Sequence, residues 1–499
     1  MSSKPVLNYD ILLEVLKWCA CPGDCTRFME TSRFFYTHGF DALLSHTISI
    51  STQDVLLCFL ACLQKDPDKR SKYVRSVRFG FFDLSEPTGL ELANALRRMS
   101  NLETLSISYS EDTLLSHPDL PDAFASLSSV RELNLGYVGE TAMGMLQALR
   151  STLVSVDIDF LGVADGEGFF DSGGIDDVSL YHPAVILAHS RSSLQELTSY
   201  GWEMDTNADL DPALLYPQMR RLDLERSLFP RTIVHITAYP NLTHLRFHTG
   251  ESELGRYDSS TIEDYDACHA LNVANQLDLG RTWASLCEFR GSLVDLYLLG
   301  LICTVDDVHL HHMHDTLHYM LQPALSYVRP RQLTLQGWPA DIRSTPPADV
   351  FAALRGQASS RLEIFGIEAG LDKDHDDSAV DIAAVFEGLL SSLLDAPLRE
   401  LRMKIWTDDL GPPRRNDLTA FARMRRQRHR LPTPPPPDPA EYPLCFAERS
   451  AEDFDLEDYV RRFMDKFPTL QRAHIILRGP RERWRLATIV DGKLQIEDR

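Results

Sequence analysis

The chain has 499 residues, 44% of them hydrophobic, and a formal charge of −22 at pH 7. That apolar content suffices for a continuous core, and the charge speaks against general affinity for phosphate backbones or anionic lipid, so nucleic acid is not expected as a main partner. No apolar run reaches the roughly 18–20 residues that span a bilayer, and no uninterrupted apolar core follows Met1 to Lys4, which predicts a soluble, intracellular protein without a membrane partner.

Helical spacing of Leu7, Ile11, Leu12, Val15 and Leu16 predicts a first helix, with Asn8 placed to cap it and Asp10 favourable in its first turn. Pro22, Gly23 and Asp24 open a second helix through Phe28 and Met29, and Thr31 to Phe35 leads into a third that ends at Leu43 and Leu44. About 40 residues cannot bury enough surface to be stable alone, so this three-helix cluster must dock on its own chain, on a partner, or on both. Nine cysteines, scattered from Cys19 to Cys445, form no dense even framework and predict buried thiols in a reducing compartment, cytoplasmic or nuclear.

The cluster resembles the F-box, the module that plugs substrate receptors into the Skp-type adaptor of cullin ubiquitin ligases. Leu7, Asp10, Ile11, Leu12, Val15, Leu16, Ser32, Arg33 and Phe35 stand where that pattern wants them, with Asn8 in place of the usual proline. The resemblance implies adaptor binding through residues 1–46, with Leu7, Asp10, Ile11, Leu12, Val15, Leu16 and Phe35 as the adaptor-facing or module-supporting set. A plain helical cap of the following domain is the alternative.

Beyond residue 47 a frame of apolar-x-x-apolar-x-apolar recurs, usually opened by Asn, Ser, Pro or Arg. It occurs at Val74-Val77-Phe79, Leu102-Leu105-Ile107, Val130-Leu133-Leu135, Leu153-Val156-Ile158, Met219-Leu222-Leu224, Leu242-Leu245-Phe247, Leu293-Leu296-Leu298, Leu362-Phe365-Ile367 and Leu398-Leu401-Met403. Weaker copies stand at Leu194-Leu197 and Leu333-Leu335, and Leu470-Ala473-Ile475 reads as a last one. The last two apolar positions alternate with polar ones, as a strand with one buried face requires, and intervening stretches such as Met143-Leu146-Leu149 carry helical spacing. One such unit cannot cover its own apolar faces, so neighbours must stack. Scattered strands and helices of a conventional α/β domain are the alternative.

The frame resembles the leucine-rich repeats found in many F-box proteins. It implies an α/β chain in which a three-helix module precedes a curved solenoid over 47–410, with inner parallel strands and outer helices. The stretches Asp165 to Ser179 and Gly250 to Asp266 read as surface loops. Residues 411–445, with Arg414, Arg415, Arg423, Arg425, Arg426, Arg428 and Arg430 ahead of Pro432 to Pro439, read as a linker or excursion; the arginines suit a nuclear address, an acidic partner or a solvated helix face. In 446–499, Tyr459 to Phe467 reads as a helix, and Trp484 to Val490 with Lys493 to Ile496 as a hairpin that caps the last repeat.

Signals for bond chemistry are weak. Asp171-Ser172-Gly173-Gly174 is similar to the nucleophile segment of trypsin-like proteases, but His189 follows the serine and no double-barrel pattern surrounds it. His309, His311, His312, His314 and His318 cluster, and His314 with His318 would share a helical face, yet no Cys pair or His-Glu-x-x-His set accompanies them. Cys19, Cys21 and Cys25 read as ordinary thiols, and Asp372 to Asp377 lacks the glycine and glutamate of a calcium loop. No catalytic set, metal site or cofactor is expected.

The resemblance therefore implies a non-catalytic receptor that holds an unknown target protein beside a ubiquitin-transferring machine. Polar strand positions Asn134, Asp157, Asp159, Asp223, Glu225, Arg246, His248, Arg402 and Lys404 would form the target face, acidic in its middle and more basic later. A stand-alone repeat scaffold without a ligase is the alternative.

Overall fold

In a computed structural model of the chain the recurring frame forms short strands whose two inward side chains are the frame's second and third apolar residues. The structure describes residues 8–19, 21–81, 83–160, 182–201, 214–225, 230–249, 259–311, 313, 317–340, 342, 349–372, 377–410, 443–479, 484–490 and 492–498. Leu7, the Asp171 to Gly174 segment, His312, His314, residues 373–376 and most of the Arg/Pro-rich stretch lie outside them. Two units divide the chain, one comprising Met1–Leu242 with His248–Asp258, the other Thr243–Phe247 with Ser259–Arg499.

The first unit opens with α1 (Tyr9–Lys17), α2 (Pro22–Met29), α3 (Arg33–His38) and α4 (Phe40–Ser45). Asn8 caps α1 by accepting from the Asp10 amide at 3.0 Å, and Ser32 caps α3 by accepting from Phe35 at 3.2 Å. The expected third helix is thus two short ones, broken at Gly39. A Cβ there would stand 2.7 Å from Met29 Cγ and from the Phe35 carbonyl oxygen, so the chain turns where only glycine fits.

Seven parallel strands follow in this unit: β1 (Thr47–Ile50), β2 (Ser76–Phe79), β3 (Thr104–Ile107), β4 (Glu132–Leu135), β5 (Ser155–Asp159), β6 (Glu196–Tyr200) and β7 (Arg221–Glu225). Each pairs with its predecessor in sequence order, and the crossovers that parallel pairing demands include α5 (Gln53–Gln64) and the helices Glu86–Leu96 and Glu140–Ala148. Val77, Phe79, Leu105, Ile107, Leu133, Leu135, Val156 and Ile158 are buried, and each large side chain so removed from water contributes about 1.5–3 kcal/mol. The strand β1 carries no complete frame and escapes sequence recognition.

Polar residues that open the frame tie one repeat to the one before. Ser129 Oγ donates to the Leu102 carbonyl at 2.8 Å and Ser193 Oγ to the Leu153 carbonyl at 2.6 Å, in each case reaching the first apolar residue of the preceding frame. The longer amides of Asn101 and Asn241 reach further, to the Lys72 carbonyl at 2.8 Å and the Pro217 carbonyl at 2.9 Å. Backbone acceptors at the repeat boundaries are thereby satisfied.

The second unit carries β8 (His244–His248) as far as Phe247, then β9 (Leu286–Ser292), β10 (Val305–His311), β11 (Gln332–Gln336), β12 (Ile364–Asp372), β13 (Glu400–Asp409) and β14 (Arg472–Arg478), again parallel and in sequence order. The hairpin β15 (Trp484–Val490) and β16 (Lys493–Asp498) adds two antiparallel strands to β14, with Gly492 at φ 73° in its turn. Both units are therefore α/β with mostly parallel sheets and helical crossovers.

Two expectations fail in the second unit. Leu293-Leu296-Leu298 is not a strand: Leu293–Leu299 is a helix, and the strand β9 immediately precedes it. Ser292 and Asp295 form a reciprocal capping box at 3.1 and 2.6 Å, and Gly300 ends the helix in the left-handed region at φ 54°. The stretch read as a loop to Asp266 is helical from Ser259, within the helix Ser259–Leu279. That helix turns Asn272 and Gln276 inward, donating to the Leu298 carbonyl at 2.7 Å and the Gly300 carbonyl at 2.8 Å, while the exposed Asp266 accepts from the Tyr297 hydroxyl at 2.9 Å. Leu271 and Leu277 are exposed on it, so no ordinary hydrophobic period marks it.

Candidate functional site

Two surfaces carry the candidate residues, the N-terminal helices and the polar face of the strands. On α1 the side chains of Ile11, Val15 and Trp18 are 54%, 48% and 85% exposed, while Leu16 is 0% exposed. Spacings of four and three residues place Ile11, Val15 and Trp18 on one helical face. Leu16 on the other side packs in the module core, where Cys25, Met29 and Phe35 are also buried. Leu12 is half-buried and Asp10 exposed in the first turn.

The sequence-derived set thus divides. Ile11, Val15 and Asp10 face outward, Leu16 and Phe35 support the module from within, and Leu7 lies outside the described residues. Trp18 was missed, because it closes the helix as its C-cap residue, two residues past Leu16, where the apolar run used to recognise the helix ends. Aromatic packing stiffens the inner side, with the Tyr9 ring 4.7 Å from Phe34 and 5.3 Å from Phe35. The module is anchored to the first repeat by Arg70, whose guanidinium lies 3.6 Å over the Phe40 ring and donates to the Cys62 carbonyl at 2.7 Å. A cleft of about 470 Å³ beside α1 is lined by charges of both signs, among them Asp10, Lys17, Asp41, Lys69 and Arg70.

All nine cysteines are free thiols. Cys25 is buried with its Sγ 3.3 Å from His46 Nε2, and burial, with the neighbouring Cys19 adding to it, pushes its thiol up to about 11. Burial thus favours the protonated thiol at neutral pH.

Across the first unit's sheet the central polar positions align in register as Arg78, Ser106, Asn134, Asp157, Thr198 and Asp223. Two residues further on, Asp159, Tyr200 and Glu225 stand side by side. Asn134 Nδ2 donates to Asp157 Oδ2 at 2.7 Å. Burial raises the Asp157 carboxyl above its ordinary range against that hydrogen bond, and the charges of Asp159 and Glu225 push the same way. Asn134, Asp157, Asp159, Asp223 and Glu225 are thus one acidic face.

In the second unit the corresponding row reads Arg246, Arg290, His309, Thr334, Gly366, Arg402 and His474. His248 ends β8, and Lys404 lies two residues beyond Arg402, 3.6 Å from Glu368. Carboxylates one pleat earlier on the same strands partner this row: Arg402 Nε stands 2.6 Å from Glu400, and Arg290 pairs with Glu288. Sequence reasoning missed Arg290, Glu288 and Glu400, the first two because β9 was concealed behind the helix that carries the leucine frame.

His309 and His311 sit on the strand β10, and His318 opens a one-turn helix, His318–Met320, while its expected helical partner His314 lies outside the described residues. Two groups among the described residues bring three metal-type ligand atoms within 4.8 Å of one another, and one of them, Glu288 with Asp307 and His309, lies wholly in the second unit. Among the described residues no helix is long and apolar enough to cross a membrane. Comparison with protein-family models and with curated proteins gave no match.

Proposed function

We propose that the chain is a substrate receptor, plugged into a Skp-type adaptor of a cullin ubiquitin ligase by its N-terminal helices and holding a target protein on the polar faces of its strands. The observation that carries this reading is the stripe Ile11, Val15 and Trp18, an uncovered apolar face on a helix whose opposite side is sealed by Leu16. Large aromatic and aliphatic side chains left in water on a module too small to stand alone suit a docking surface. Sequential parallel strands tied by Ser129, Ser193, Asn101 and Asn241 support the leucine-rich solenoid reading, because each repeat bonds to the one before it. The receptor performs no bond chemistry; it raises the effective concentration of target lysines near the charged carrier, in the cytoplasm or nucleus.

The test is co-expression with a Skp adaptor followed by size-exclusion chromatography. Ile11→Asp with Val15→Asp is the informative variant, since both side chains are outward, whereas a charge at the buried Leu16 would damage the module itself. Co-elution of the wild type, lost in the folded variant, supports the receptor. A well-folded wild type that does not co-elute leaves a stand-alone interaction scaffold.

A further inference from the structure

We infer that Glu288, Asp307 and His309 form a binding site for a borderline divalent metal ion, for which Zn²⁺ is the natural probe. Glu288 and Asp307 are direct cross-strand partners on β9 and β10, and His309 lies two residues beyond Asp307 on the same face. Adjacent strands are about 4.8 Å apart, so the two carboxylates are held close together, with Arg290 at Glu288 and His309 at Asp307 offsetting part of their repulsion. Their oxygens and a His309 ring nitrogen all lie within 4.8 Å of one another, the span of ligands around one ion.

A second observation concerns Asp307 alone. Its Oδ1 is sealed from water and accepts no hydrogen bond, although His309 Nε2 stands 3.1 Å away. The contact is an ion pair without a hydrogen bond, between side chains that are each about one third exposed, so that oxygen still has room for a cation as a closer partner. A metal ion shared by the carboxylate oxygen and the imidazole nitrogen satisfies both. Arg290 already pairs with Glu288, so it competes with the ion for that ligand.

The donor set narrows the metal. One imidazole and two carboxylates with no thiolate disfavour Cu(I) and suit Zn²⁺, Mn²⁺, Fe²⁺, Co²⁺ or Ni²⁺. Three protein ligands leave at least one coordination position for water or for a donor from another molecule. Two strands of one sheet fix the ligands, so little reorganisation accompanies binding. The site is independent of the adaptor reading.

The experiment is isothermal titration of chelator-stripped, full-length protein with ZnCl₂, comparing wild type with Asp307→Asn, His309→Gln and Arg290→Gln. The wild type should bind one equivalent more than the first two variants, or bind that equivalent at least tenfold more tightly, because losing even an outer partner of a metal ligand typically costs about 10–100-fold. Arg290→Gln should keep the stoichiometry and tighten binding, since it removes the competing cation and frees Glu288. That gain reads out the site even if a ligand variant were to fold poorly, which the thermal midpoint of each stripped protein monitors. Identical zinc binding by wild type, Asp307→Asn and His309→Gln overturns the inference, as does unchanged or weakened binding in Arg290→Gln; Asp307 and His309 would then be a simple ion pair.

Discussion

Asn134 and Asp157 are joined across β4 and β5 by a 2.7 Å hydrogen bond at the centre of the first unit's polar face. The bond favours the ionised carboxylate, whereas burial and the charges of Asp159 and Glu225 oppose it and prevail. A carboxyl whose folded pKa is raised holds its proton to higher pH than the unfolded chain does. Its contribution is most favourable when protonated and declines as pH rises through the unfolded and then the folded pKa. Ionised Asp157 therefore costs stability at neutral pH. Asp157→Asn should raise the urea midpoint at pH 7, and Asn134→Ala should push the Asp157 pKa further up, as followed by carboxyl-carbon NMR. A lower midpoint in Asp157→Asn would show that the charge is held by compensating partners.

The same variants bear on target capture. Replacing Asp157, Asp159, Asp223 and Glu225 by their amides removes four negative charges from one face, and a basic target should bind more weakly and with less salt dependence. Binding of a captured target, measured at low and high salt, checks this. Unchanged affinity in a folded variant removes the acidic face from the target site.

Acid should weaken the first unit through His235. It is buried in the helix Thr232–Ala238, neither ring nitrogen makes a hydrogen bond, and burial pushes its pKa down to about 4. Burial, with His235 next, also lowers His182, which accepts from the Ala184 amide at 3.0 Å. With a depressed folded pKa, the neutral ring's stability is fully present above the unfolded value near 6.5 and is lost as pH falls toward 4. For His235 the loss between pH 7 and pH 5 is on the order of 2 kcal/mol. Urea titrations at the two pH values should show it, and His235→Phe should reduce it. An equal pH response in that variant would place the acid sensitivity elsewhere.

What the sequence made legible follows from local periodicity. Leu105, Ile107, Leu133, Leu135, Val156 and Ile158 alternate with polar residues, so their strands could be read directly, and Asn8 marked a helix start by capping chemistry. Leu293 to Leu299 failed because the helix is buried all round, so its dense apolar run accommodates the repeat frame without showing a helical period; the Ser292–Asp295 box decides between them, and it is a two-residue signal beside that run. The helix Ser259–Leu279 was hidden for the opposite reason, since Asn272 and Gln276 face inward as hydrogen-bonding groups while Leu271 and Leu277 are exposed. Of the adaptor candidates, periodicity found Ile11 and Val15 but could not separate them from Leu16, because apolar residues stand on more than one side of α1 and which side is covered depends on α2 to α4. Glu288, Asp307 and His309 converge only through register, which no local pattern carries.

Ser129 offers a direct measure of the bonds between repeats. Its Oγ donates to the Leu102 carbonyl, and Ser129→Ala leaves that acceptor without this donor. The cost should be about 1 kcal/mol, the usual net value of such a bond, with an unchanged denaturant slope. Ser129→Thr keeps the hydroxyl and should recover most of the loss. Equal destabilisation by both variants would point to crowding at the site and away from the hydrogen bond.

Gly39 tests the packing that presents the apolar stripe. Its φ of −81° is open to any residue, so an alanine there meets no dihedral penalty. The obstacle is space: a Cβ would lie 2.7 Å from the Phe35 oxygen and Met29 Cγ and 2.8 Å from Leu16 Cδ2. The Phe35 oxygen is held by the Gly39 amide itself at 2.8 Å, so it cannot retreat without opening the end of α3. Gly39→Ala should therefore cost about 1–3 kcal/mol and weaken adaptor binding by shifting α1 through Leu16. Gly144, inside the helix Glu140–Ala148 with nothing within 4 Å of its would-be Cβ, is the matched control, and Gly144→Ala should stabilise by about 0.4–1 kcal/mol. Urea unfolding of the two variants against wild type separates them. If Gly39→Ala behaves like Gly144→Ala, then α3 and α4 do not close tightly on Leu16, and the outward orientation of Ile11, Val15 and Trp18 loses its mechanical basis.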